Sequence, residues 1–163
     1  MANDLASQML LDVSAQFGLA YGLSECLYRE ICFALAVSAA QQGGELSRAS
    51  FEDHRSKSLA LGFAVAARRA EGTISTELLE PLRAAAAARN YLAHHFWAER
   101  VSSLSAPEQR EIVLAELASY IGVFVRVLDD LSRWHEPERR QLGISDEHHE
   151  ALRRQITNVA LML

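Results

Sequence analysis

Apolar residues recur at the three-to-four-residue spacing of a helix along almost the whole chain, and no stretch alternates apolar and polar positions over the length of a strand. This period predicts an all-α protein. The first helical stretch covers residues 3–41, with Gly18 and Gly22 as points where it could bend and Gly43-Gly44 as its stop. A second helix is expected over 51–69, capped by Ser50 or Asp53 and closed by Glu71-Gly72. The third begins between Ser75 and Pro81 and runs through five consecutive alanines to about residue 98. Because proline suits a first turn and not a helix interior, its regular part is placed after Pro81.

Ser105-Ala106-Pro107-Glu108 reads as a capping box opening a long fourth helix to about residue 134. Its spacing of Ile112, Leu114, Leu117, Ile121, Phe124, Val125 and Leu128 predicts an apolar stripe. Pro137 ends it, and Ser145-Asp146-Glu147 starts a last helix to about residue 162, with acids favourably placed in the first turn. Helices of this length joined by short loops predict an antiparallel bundle of four to six helices, in a single domain spanning residues 1–163.

Composition narrows the classes. The formal net charge of −5 provides no global positive field, so any polyanion site must be a local cluster. Cys26 and Cys32 lie six apart, on different sides of a helix, and read as small buried residues in a reducing compartment rather than a redox or zinc pair. The first eight residues carry Asp4 and no basic start, and the longest apolar run, 31–40, is far shorter than the roughly 20 residues a membrane span needs. A soluble, cytoplasmic protein is expected, without a membrane partner. His54, His135 and the His148-His149 pair match no metal motif, since adjacent helical histidines diverge by about 100° and none stands in an H-E-x-x-H arrangement. Neither a metal nor a cofactor is assigned. Residues 136–140, rich in Glu and Arg, read as a solvated loop.

The segment Arg89-Asn90-Tyr91-Leu92-Ala93-His94-His95-Phe96-Trp97, directly after the alanine run 84–88, concentrates the candidate chemistry. The small alanines allow close approach of another helix, within the bundle or at a dimer seam. Asn90 and His94 are four apart and share a face, whereas Arg89 and His94, five apart, diverge by roughly 140° about the axis. These two converge only if the helix is distorted near the histidine or if a two-fold related copy completes the site.

Arg89, Asn90, three further residues and His94, followed by His95 and aromatics, resemble the arginine–histidine motif of HEPN domains, the nucleotide-binding helical bundles in which four to six residues separate the two. The specific part of the resemblance is residues 89–96, with looser similarity over 3–131. It implies a HEPN-like bundle and a homodimer with the two motifs facing each other. In many members it also implies metal-independent RNA cleavage, often as the toxin of a toxin–antitoxin or defence pair, held in check by an antitoxin or a nucleotidyltransferase. On this reading Arg89 binds phosphate, His94 transfers protons and Asn90 positions substrate or the histidine. His95 and Tyr91 are accessory candidates; His95 could instead pair with Glu99, and Tyr91 and Trp97 could stack on bases. The residue types suit the reaction, because imidazole titrates near neutral pH and the guanidinium fork fits phosphate oxygens. Where some members carry a modifiable tyrosine two positions after the motif histidine, this chain has Phe96. The alternative class is a catalytically silent dimerisation, nucleotide-binding or partner-binding module.

Overall fold

A computed structural model describes residues 2–59, 72–147 and 149–151, and every regular element among them is helical. Helix α1 spans Ala2–Gln41 as one helix, continuous through Gly18 and Gly22. Its C-terminal half is apolar on nearly every side, and almost every residue from 24 to 37 is buried, so this half is the spine of the core. Gly43 ends it in the left-handed region, at φ 95°. Its N–H donates to Ala40 O at 3.1 Å, and the Gly44 N–H donates to Ala39 O at 3.0 Å. These two reversed bonds close the helix as a Schellman turn.

Helix α2 spans Arg48–Leu59 and starts three residues earlier than the sequence suggests. Ser47 is its cap: the Ser50 N–H donates to Ser47 Oγ at 3.2 Å while Ser50 Oγ accepts from the Ser47 N–H at 3.1 Å. Serine thus fills both places of a reciprocal box, and Ser50 lies inside the helix. The remainder of the expected second helix and its Glu71 stop lie outside the described residues, as does the last helix beyond residue 151.

Helix α3 spans Thr76–His94 with Pro81 inside it. The expectation that regular helix begins after Pro81 is therefore corrected. In the second turn proline removes a single N–H, and the burial of Leu78 and Leu82 on either side of it holds the helical course. The helix ends at His94 instead of continuing to 98. A short α4, Phe96–Arg100, and a 3₁₀ turn, Val101–Ser105, follow. The long α5 is Pro107–Trp134, with Pro107 in its first turn. Its cap position is Ala106, and the Ser105 hydroxyl donates back to Ser102 O at 3.2 Å, so the expected capping box does not form. The 3₁₀ turn claims the serine first. The buried stripe of α5 comprises Val113, Leu117, Phe124, Val127, Leu128 and Leu131, while Ile112 and Val125 face solvent.

His135 separates α5 from α6, Glu136–Gln141. This six-residue helix replaces the expected solvated loop, and its Arg139 is buried. Gly143, at φ 75°, turns the chain into the helical residues 146–147 and 149–151.

Helix α1 packs along α5 and against α2 and α3, and α3 also packs on α5. Phe17 meets Phe96 and Trp97, whereas two turns further along α1 Glu25 meets Arg89, so α3 runs antiparallel to α1. Tyr120 meets Tyr91 and His135 meets Glu30, so α5 returns in the sense of α1, antiparallel to α3. The result is a helical bundle with Leu27, Ile31, Leu82, Leu92, Phe96, Leu117, Phe124 and Leu131 at its centre. Among the described residues no helix is long and apolar enough to cross a membrane.

Candidate functional site

The alanine run divides its residues between two environments. Ala85, Ala86 and Ala88 are buried in the bundle, while Ala84 and Ala87 are exposed. One turn further on, Arg89 turns toward α1. Its Nη2 lies 3.3 Å from Glu25 Oε1 and 3.5 Å from the Tyr21 hydroxyl, and its guanidinium carbon stands 5.7 Å from the centre of the Tyr21 ring. Its Nε is buried and has no hydrogen-bond partner among the described residues. Asn90 is half-buried.

His94 is the last residue of α3 and is exposed, as is His95. His95 breaks the helix, with φ −123° and ψ −34°, although its N–H still donates to Tyr91 O at 2.9 Å. The break has a packing cause. It lets Phe96, fully buried, enter the core against Phe17 at 5.1 Å and sets Trp97 on the same ring at 5.0 Å. Burying Phe96 completely, with Trp97 partly covered beside it, is worth about 2 kcal/mol or more, which outweighs an interrupted helical turn. The consequence is that the two adjacent histidines remain in solvent while the chain on both sides is anchored. Within one chain Arg89 faces α1 and His94 faces outward, so the divergence expected from their spacing persists.

Tyr91 and the chain after the break join a second polar network. The Tyr91 hydroxyl donates to Glu99 at 3.1 Å, Arg100 makes a two-pronged pair with Glu116 at 2.8 and 3.1 Å, and the Tyr120 hydroxyl donates to the same Glu116 at 3.1 Å. Burial, reinforced by the bond to Glu116, pushes the Tyr120 hydroxyl up to about 12; burial and the Glu116 charge also raise that of Tyr91. Both tyrosines are held as neutral donors. Glu99 is thus engaged by Tyr91, against which the His95 ring stacks at 6.4 Å.

A third group was not visible from local spacing. Glu30 of α1, His135 at the α5–α6 corner and His149 are all buried, and Glu30 Oε1 lies 2.7 Å from His135 Nε2 and 3.0 Å from His149 Nε2. The three atoms lie within 4.8 Å of one another. The two rings meet edge to face at 5.4 Å, and Phe33, three residues after Glu30, flanks both at 5.5 and 5.6 Å. Burial alone would push the Glu30 carboxyl up, but the hydrogen bonds and charges of the two imidazoles outweigh it and hold the group at about 2, so Glu30 is ionised. Its partners are 105 and 119 residues distant in sequence, beyond the reach of any motif. The one available signal was an acid, with Arg29 beside it, embedded in the largely apolar stretch 26–37, a placement that requires a partner.

Compared with known proteins, the chain matches no family model, no curated protein and no solved structure.

Proposed function

We propose that the chain is a HEPN-type endoribonuclease that works without a catalytic metal, as a homodimer whose two copies of Arg89, Asn90 and His94 share one groove. The observation that carries this reading is the break at His95. It leaves His94 in solvent at the end of α3, while Arg89, five residues earlier, is anchored by Glu25 and Tyr21. A guanidinium and an exposed imidazole are the two groups that RNA transesterification needs, and because they diverge within one chain, a second copy has to bring them to one groove. His94 of one copy takes the proton from the 2′-hydroxyl, the 2′-oxygen attacks phosphorus, and the bond to the 5′-oxygen breaks as that oxygen receives a proton from the His94 imidazolium of the other copy, leaving a 2′,3′-cyclic phosphate and a 5′-hydroxyl. Arg89 offsets the charge gathering on the phosphoryl oxygens. Asn90 orients the sugar–phosphate or the imidazole, and His95 and Tyr91 border the groove. The physiological restraint is a cognate antitoxin or nucleotidyltransferase.

The test is incubation of the purified dimer with total RNA in the presence of chelator. Cleavage that falls at least ~100-fold in both Arg89→Ala and His94→Ala, with the dimer preserved, is expected from the loss of a proton-transfer or oxyanion-stabilising group. Intact RNA after incubation with inhibitor-free wild-type dimer, or cleavage that survives both substitutions, overturns the reading.

Two observations favour the second class, a catalytically silent dimerisation, nucleotide-binding or partner-binding module. The Glu25 carboxylate already occupies an edge of the Arg89 guanidinium, and the net charge of −5 works against RNA capture. In that case the same incubation leaves RNA whole.

A further inference from the structure

We propose that Glu30, His135 and His149 form a binding site for a divalent transition-metal ion of the zinc–iron–cobalt–nickel group, ligated through Glu30 Oε1 and the two Nε2 atoms. The site is separate from the Arg89–His94 groove, and the inference does not rest on the ribonuclease reading.

Three features support it. The donor set, two imidazoles and one carboxylate, suits these borderline ions rather than magnesium or calcium, which prefer oxygen throughout. The geometry is close to the one required. Ligand atoms at about 2.0–2.2 Å from a metal stand about 3–3.5 Å apart. Glu30 Oε1 is 2.7 and 3.0 Å from the two Nε2 atoms, and the three atoms lie within 4.8 Å of one another, so small side-chain shifts bring them around one ion. The third feature is burial. Glu30, His135 and His149 are each at most 5% exposed, and no arginine or lysine is among the hydrogen-bond partners of Glu30 in the described residues, so the three donors face one another in a site shielded from solvent.

The three ligands come from the middle of α1, the α5–α6 corner and the segment after Gly143. A bound ion therefore cross-links the spine of the bundle to its C-terminal part, and with three protein ligands it keeps a coordination position for water or a small ligand.

The experiment uses the full chain, stripped with chelator and titrated with zinc chloride, and separately with cobalt chloride. Bound metal is measured by elemental analysis after gel filtration, and the cobalt visible spectrum reports ligand type. One ion per chain is expected for the wild type and for His95→Ala, a control for adventitious binding by exposed histidine. Glu30→Gln and His149→Ala are each expected to bind at least ~10-fold more weakly, since even outer-shell losses reach that size. Zinc is also expected to raise the melting temperature of the wild type and not that of His149→Ala. Wild-type protein that retains no stoichiometric metal overturns the proposal, whatever the variants do. Binding by Glu30→Gln and His149→Ala equal to the wild type overturns it as well. Should Glu30→Gln fail to fold, His149→Ala decides, because its side chain belongs to the terminal segment and not to the spine.

Discussion

Glu30 is a carboxylate placed where an aliphatic residue would ordinarily sit, between Leu27 and Ile31 on the buried length of α1. Its folded value, about 2, lies below the ordinary 4.5, so its contribution to stability in the metal-free chain is complete above pH ~4.5 and is lost as the pH falls through the window to about 2. The expected outcome is a melting temperature that declines through that window in chelator. Glu30→Ala should lose the carboxylate's part of this slope and be less stable near neutral pH by about 1–3 kcal/mol, because two buried imidazole nitrogens lose their hydrogen-bond partner. Thermal melts of both proteins across pH check this. The pair between Arg89 and Glu25 is of another kind. With the Glu25 side chain 39% exposed, it contributes no more than about 1 kcal/mol, and Glu25→Gln should leave chemical denaturation nearly unchanged. The two pairings also differ in what the sequence discloses. Arg89, Asn90 and His94 stand together as a string and could be singled out, whereas Glu25 and Glu30 acquire partners only through the fold.

Among the elements, the helices with local signals agree most closely with their sequence. Gly43-Gly44 stops α1 because the left-handed turn at Gly43 needs a residue without Cβ strain, and that requirement is visible in the letters. Where several local signals compete, the outcome depends on packing. The sequence points to Ser50 or Asp53 as the cap of α2, and Ser47 takes that place instead; Ser47→Ala is expected to cost about 1 kcal/mol in urea melts. Helix α5 carries apolar residues around much more than one face, so periodicity alone leaves its rotation open. Val113, Leu117 and Phe124 face the core, and Ile112 and Val125 do not. Denaturation of two variants reads out this rotation directly. Leu117→Ala should cost about 2–5 kcal/mol and Ile112→Ala no more than about 0.5 kcal/mol. Reversal of that order would place the wrong side of α5 against α1.

At the scale of the molecule, α1 serves two regions at once. Glu25 and Glu30 are five residues apart, so they are separated by about 7.5 Å along the axis and about 140° around it, which directs one toward α3 and the other toward the α5–α6 corner. The groove chemistry and the buried triad therefore address different sides of a single rigid element. What α1 leaves uncovered is the outer face of α3. Ala84, Ala87 and His94 follow one another at spacings of three and seven, so the exposed alanines lead along one line to the exposed histidine. Small residues on such a line allow a second copy of α3 to approach until the two His94 side chains border one groove, while Arg89, turned toward α1, reaches that groove only from its side. Ala87→Arg tests that arrangement without touching the core, because Ala87 is exposed and arginine is a good helix former. Its melting temperature should stay close to that of the wild type. A bulky cation at the seam, repeated by symmetry, should instead shift the mass in solution from two chains to one and abolish RNA cleavage with it. A dimer of unchanged affinity by analytical ultracentrifugation would remove this face of α3 as the seam, and cleavage by a monomer would remove the shared groove.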